Sequence, residues 1–378
     1  MKSALSTAAV ALVLGVASPA LADIKIGATV SETGPASSLG DPEAKTLRML
    51  VEEINAAGGV LGEKIDLIAY DDAGDPNKAR TFATRLIEDD EVVAIIGGST
   101  TGTTMSIMQV VADAEIPFIS LAGAVEIVDP VQPWTFKTPH TDRMACAKIF
   151  ENMKAGGITK IGMISGSDGF GASMHKQCLQ VIGDYGIEVL IDETYGPTDA
   201  DMTPQLTNIR GKEGVQAILN AGFGQGPAIV TRNYGQLGIK TPLYQSHGVA
   251  SKAFIELAGP ASNGVKLPGT AILIANLLKQ DDPQYGVVTA YKKAYEEKAG
   301  SAPSTFGGYA HDALRLLVDA IGRAGKAEPQ AIRDAIEQTK GYVGVTGVVN
   351  MSPTDHLGLD LTAFRMLEIK DGGWALAQ

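Results

Sequence analysis

The chain has 378 residues, with 31 Lys and Arg against 43 Asp and Glu, a formal net charge of −12, five His and two Cys. An acidic chain without basic clusters excludes nucleic acid and anionic membrane surfaces as principal partners, although one local site on it can still attract an anion. At about 100–200 residues per domain, the length fits two lobes.

Residues 1–22 read as a cleavable secretory signal, with Lys2, an apolar run from Ala4 to Ala17, and Ala20-Leu21-Ala22 ahead of Asp23. The run is shorter than the about 20 residues of a spanning helix, and no Cys follows it to carry a lipid. Cleavage after Ala22 and a periplasmic location are therefore expected.

From Ile24 the pattern alternates strand and helix. "IKIGATV" (24–30) reads as a strand. The next segment puts Leu47, Leu50, Val51 and Ile54 on one helical face and stops at Gly58-Gly59. "EKIDLIAYDD" is a strand, and Asp75-Pro76 opens a helix as N-cap and first helical residue. "VVAIIGG", a Thr-rich loop, a helix through Ala114 and "IPFIS" follow. "PWTFKTPHTD", with Pro133 and Pro139, reads as a crossover without a helix. A second series then runs through helix 143–155, "KIGMISG", helix 171–185, "IEVLIDETY", helix 203–212, "VQAILNA", helix 227–237 and "TPLYQ". Helices 283–299, 306–324 and 328–339 and strands at "TGVVN" and "FRMLEIKDGGWA" complete the chain.

Apolar strands alternating with amphipathic helices predict parallel sheets covered on both faces. Two such series divided by a crossover predict an α/β fold of two doubly wound lobes rather than an eight-fold barrel. Cys146 and Cys178 both fall on predicted helices beside apolar residues, and either a disulfide or two separately buried thiols fits them.

In open α/β sheets, ligands bind beyond the carboxyl ends of the strands. That rule singles out loops 31–41, 97–104, 120–125, 165–171, 220–226 and 245–249. "GGSTTGTT" (97–104) combines backbone freedom at Gly97-Gly98 with a helix start and the hydroxyls of Thr100, Thr101, Thr103 and Thr104. It suits a carboxylate or phosphate, or simply caps its helix. It is not a Walker loop, because no Gly-Lys-Ser/Thr follows. "NAGFGQGP" lacks the third Gly of a dinucleotide fingerprint, Pro227 standing in its place. "SGSDGFG" has Ser165 where a nucleophile elbow requires Gly. The scattered His residues match no metal signature. No catalytic residue, metal or cofactor is expected.

The opening "DIKIGATVSETGPASSLGDPEAKTLRMLVEEINAAGGVLGEKIDLIAYDDAGDPNKA" resembles the periplasmic leucine/isoleucine/valine-binding proteins of ABC importers. "INAAGGVLG", "YDDAGDP", "IPFIS", "GFG" and "YAHDALRLL" continue the likeness in order across the mature chain. The resemblance implies a type I periplasmic-binding-protein fold, two Rossmann-like lobes joined by three hinge strands near 139–142, 268–272 and 345–348. Lobe 1 is then 23–140 plus 271–346, and lobe 2 is 141–270 plus 347–378. It implies a monomer that is not an enzyme and that delivers its ligand to an ABC permease/ATPase complex in the inner membrane.

Carried over by position, the family's carboxylate donors fall on Thr100, Thr101 and Gly102, with main-chain contacts at Ala122, Gly123 and Ala124. The aromatic wall falls on Phe170 and Phe223. The acidic residue that receives an ammonium becomes His247, and a family Tyr becomes Leu39. The family's disulfide is missing, Gly74 and Thr100 occupying its positions. A hydrogen bond to a charged group contributes about 1.5–3 kcal/mol, so losing the acidic partner disfavours an α-amino acid. A small aromatic carboxylate (benzoate, hydroxybenzoate or phenylpropenoate) ranks first, branched-chain amino acids second and other hydrophobic monocarboxylates third. A ligand sensor or an exported enzyme is the reading from another class.

Overall fold

The computed structural model describes residues 23–377, so the predicted signal segment lies outside the described residues. Two main sheets divide the chain. The first has the order β2-β1-β3-β4-β5 and is parallel throughout, from β1 (Ile24–Val30), β2 (Ile65–Asp71), β3 (Ala94–Gly97), β4 (Phe118–Ser120) and β5 (Thr135–Lys137). Between these strands run α1 (Ser37–Ala56), α2 (Pro76–Glu88) and α3 (Thr101–Ala114). β3 shows why both faces carry helices. Ala94 and Ile96 enter the core shared with α1, while Ile95 enters the core with α2 and α3, the period-two alternation of a strand buried on both sides.

The second sheet follows α4 (Asp142–Ala155). It contains β6 (Lys160–Gly166), β7 (Glu188–Tyr195), β8 (Ala217–Ala221), β9 (Leu243–Gln245) and β10 (Lys266–Gly269), all parallel. Its helices are α5 (Gly169–Val181), α6 (Thr203–Gly211), α7 (Gln225–Gln236) and α8 (Lys252–Ala258). The chain then forms α9 (Tyr285–Ala299), α10 (Thr305–Ala324) and α11 (Pro329–Glu337), which pack on the first sheet's core through residues such as Tyr291, Leu314 and Ile332. After a small hairpin of β11 (Tyr342–Val343) and β12 (Val348–Val349), β13 (Arg365–Lys370) and β14 (Gly373–Leu376) return as antiparallel strands at the edge of the second sheet.

Helix α10 ties down each passage of the chain between the sheets. Thr138 donates through Oγ1 to the Tyr309 carbonyl at 2.9 Å. Thr270 meets Thr305 hydroxyl to hydroxyl at 3.1 Å. The buried Asp312 carboxylate accepts the Val345 and Thr346 amides, each at 2.9 Å.

Some local details depart from the sequence reading. α1 begins at Ser37, before Pro42, which lies inside the helix near its start and removes a single backbone donor. The crossover segment contains β5. "KLPG" forms β10 despite Pro268, because its pairing with β9 is confined to Lys266 and the missing N–H falls beyond that ladder. Cys146 on α4 and Cys178 on α5 are bonded, with Cα atoms 5.1 Å apart, which decides between the two readings of the pair.

Candidate ligand-binding site

The carboxyl ends of both sheets face each other, and the six loops singled out in the sequence line one interlobe cavity. Its walls are Leu39, Ser99, Thr100, Thr101, Leu121, Gly123, Pro139, Phe170, Phe223, His247, Gly248, Phe306 and Tyr309, around a narrow cavity of about 30 Å³. Among the described residues, no Asp, Glu, Lys or Arg lines it.

The Thr-rich loop turns out to have two jobs. Thr100 and Thr103 form a reciprocal capping box, the Thr100 hydroxyl accepting from the Thr103 amide while the Thr103 hydroxyl accepts from the Thr100 amide. Thr104 donates to the Gly98 carbonyl or pairs with the Ser120 hydroxyl, at 2.9 and 2.8 Å. Three of the four hydroxyls expected as ligand donors are therefore committed to holding the loop. Thr101 Oγ1 alone is buried without a protein partner, at the first residue of α3, where the amide N–H groups have no preceding helical carbonyl to meet.

Gly123 faces the opposite lobe, where a Cβ built on it would stand 2.8 Å from Phe170 Cε2 and 2.9 Å from His247 Nε2. Its neighbours Ala122 and Ala124 belong to the first lobe's core and do not line the cavity. Gly102 likewise lies outside it, in an adjoining hollow at the cleft mouth. Phe170 and Phe223 meet edge to face, with ring centroids 6.1 Å apart and planes at 84°.

His247 follows β9 in a 3₁₀ turn capped by Ser246, whose hydroxyl accepts the Gly248 amide at 3.0 Å and donates to the Gly222 carbonyl. The imidazole stands edge-on to Phe170 and to Phe364, each at 5.4 Å. Its exposure is 2%, and Nδ1 has no partner. Burial, and secondarily the Lys137 ammonium, push its pKa down to about 3, so the ring is neutral at physiological pH.

The sequence reading missed Tyr309, Phe306, Ser99, Leu121, Pro139 and Gly248. Ser99, Leu121 and Gly248 lie inside loops already chosen, and Pro139 belongs to the crossover. Tyr309 and Phe306 arrive on α10, far along the chain; Tyr309 opens "YAHDALRLL", and Phe306 lies three residues before that motif. Tyr309 is 2% exposed and its hydroxyl has no partner.

Two ionisable groups lie just behind the cavity wall. Glu43 accepts from Ser99 Oγ at 2.5 Å, and burial raises its carboxyl well above the usual range. Lys137 is fully buried and donates to the Ala124 carbonyl at 3.0 Å. Burial lowers it to about 7, against the opposing pull of Asp142 and Glu126.

Two lobes that face a largely apolar cavity between them define a cleft-type small-molecule receptor. Residues 23–373 match the periplasmic binding protein family, and the chain belongs to it. A leucine-, isoleucine-, valine-, threonine- and alanine-binding protein of Pseudomonas aeruginosa is 25% identical over 342 residues, covering 89% of this chain and 86% of that protein. An extracellular ligand-binding receptor of Rhodopseudomonas palustris HaA2 superposes with a TM-score of 0.88 at 31% identity, covering 94% of this chain and all of that one. The Streptococcus pneumoniae substrate-binding protein LivJ, solved with isoleucine, shares the fold with a TM-score of 0.84 at 24% identity, over 94% of this chain and 99% of that one. The chain thus shares its two-lobe architecture with these two solved structures.

Proposed function

We propose that this protein is the periplasmic solute-binding component of an ABC importer and that its ligand is a small aromatic carboxylate. One observation carries the ligand class. Thr101 Oγ1, His247 Nδ1 and Tyr309 OH are buried and unpartnered, and all three residues line a cavity that has no ionised side chain on its walls. Leaving a buried polar group unmet costs about 1–3 kcal/mol, so the ligand supplies the partners. A carboxylate suits Thr101 and the free amides at the start of α3, where the helix dipole favours an anion. An aromatic ring suits the Phe170 and Phe223 walls, and a para hydroxyl suits His247 and Tyr309. In this reading lobe 1 (23–140 plus 271–346) and lobe 2 (141–270 plus 347–378) close on the ligand about the three passages, as a monomer, and present it to the membrane permease.

A branched-chain amino acid is the second reading. The names of the Pseudomonas and Streptococcus relatives support it, and Glu43, one hydroxyl behind the cavity, could ionise against an ammonium. A thermal-shift panel separates the two. At 100 times its dissociation constant a ligand stabilises by about 2.7 kcal/mol. Stabilisation by benzoate, 4-hydroxybenzoate or 4-hydroxycinnamate and none by leucine, isoleucine or valine is expected, and the reverse pattern overturns the aromatic assignment.

A further inference from the structure

We propose that Glu126 is the positioning residue that sets how firmly the lobes close, acting as a clasp whose contribution does not depend on what the cleft holds. It rests on the cleft-closing function proposed above but not on the identity of the ligand. Glu126 lies in the 3₁₀ turn Val125–Ile127 of the first lobe, just after the loop that carries Gly123. Its carboxylate accepts three donors from one helix of the opposite lobe, α5: Ser173 Oγ at 2.5 Å, Lys176 Nζ at 3.2 Å and Gln177 Nε2 at 3.2 Å. None of these residues lines the ligand cavity.

The Ser173 hydroxyl has a second carboxyl neighbour, Asp142, fully buried at the start of α4. A hydroxyl has one proton and can donate to only one of them. Ser173 Oγ therefore bridges the two carboxyls, Glu126 of the first lobe and Asp142 of the second. Burial raises the Asp142 carboxyl, while its hydrogen bonds bring the Glu126 carboxyl below the usual range despite partial burial. Asp142 Oδ1 also accepts the Val125 amide at 3.0 Å, so the chain of bonds ends on the backbone beside Glu126 itself.

Arg143 runs a second connection alongside, donating to Asp129 at 2.7 Å and to Gln177 at 2.8 Å. The Arg143–Asp129 pair is about half exposed, and exposed pairs contribute little. Glu126 is more sheltered, and its partner Ser173 is only 9% exposed. Swinging the lobes apart separates α5 from the 121–130 loop and breaks all three bonds. A group that contacts only the closed form shifts the open–closed equilibrium, which multiplies every ligand's affinity by one common factor.

The test compares Glu126→Ala and Ser173→Ala with the unmodified protein. Without ligand, both variants are expected to scatter X-rays with a larger radius of gyration, with circular dichroism confirming an intact fold. Equal radii overturn the clasp, whatever the ligand proves to be. With benzoate and 4-hydroxybenzoate as probes, Glu126→Ala is expected to weaken both by the same factor, at least about tenfold, since one bond to a charged group is worth about that much and three are lost. A loss confined to one probe would assign Glu126 to ligand recognition and overturn the proposal. Failure of both probes to bind the unmodified protein counts against the aromatic reading and leaves the scattering comparison to decide the clasp.

Discussion

Gly123 and His247 meet across the cleft so closely that the imidazole Nε2 stands 2.9 Å from where a Cβ of residue 123 would be. The first lobe ends there in bare backbone, and the second answers with a neutral aromatic ring. The seam is completed by Phe170, whose Cε2 is 2.8 Å from the same point.

Gly123→Ala tests that seam. The added methyl must push apart two buried aromatic side chains, and overpacking of this kind costs about 1–3 kcal/mol. The cost falls on the closed form, so ligand affinity is expected to drop at least tenfold while the ligand-free melting temperature stays within a few degrees. Isothermal titration beside a thermal melt checks both, and an unchanged affinity removes the seam from the closing mechanism.

Tyr309→Phe separates recognition from packing. The hydroxyl is buried and unmet without ligand, so its removal is expected to be neutral or stabilising by about 1 kcal/mol in the ligand-free protein. Affinity for a hydroxylated acid should fall about tenfold while that for benzoate changes little. A loss of stability without ligand would mean the hydroxyl is already satisfied.

His247 predicts the direction of a pH effect. Its folded pKa, about 3, lies below its unfolded value near 6.5, so the unfolded chain binds the extra proton first. Stability from this group is fully present above pH 6.5 and is lost as pH falls from there toward 3, at a limiting slope on the order of 1 kcal/mol per pH unit. His140, stacked on Phe364 at 3.9 Å and buried, is depressed in the same sense. Replacing His247 with Asn should flatten the fall in melting temperature between pH 6.5 and 4. An equal slope in the variant would place the titration elsewhere.

The Cys146–Cys178 bond joins α4 to α5 across a sequence separation of 32. A loop of that length is worth about 3–4 kcal/mol on loop-closure entropy. Replacing both cysteines with Ser is expected to lower thermal stability substantially. Both sulfurs lie in the second lobe's core and neither cysteine lines the cavity, so ligand affinity at a temperature where the variant is folded should hardly move. A selective loss of affinity would show that the bond positions Phe170, on the same helix.

Strand and helix alternation, burial on both sheet faces and the loops that meet in the cleft were legible in the sequence, because period and turn chemistry are local properties. His247 and Phe170 could be placed at strand ends from neighbours within a few residues. Other features depended on contacts between distant segments. The Thr-rich loop fits both a ligand cradle and a helix cap in sequence, and only the fold commits Thr100, Thr103 and Thr104 to the loop and leaves Thr101 without a partner. Tyr309 enters the cavity from a helix that starts about 60 residues after His247, and no local pattern reports where a helix's first turn will point. The disulfide, the neutral state of His247 and the bonds from Glu126 to α5 each depend on how far apart two groups lie and how much water remains between them. Sequence determines which residues can form strands, helices and caps. Only tertiary packing decides which polar atoms are left without a partner, because that depends on every neighbour the fold brings to them.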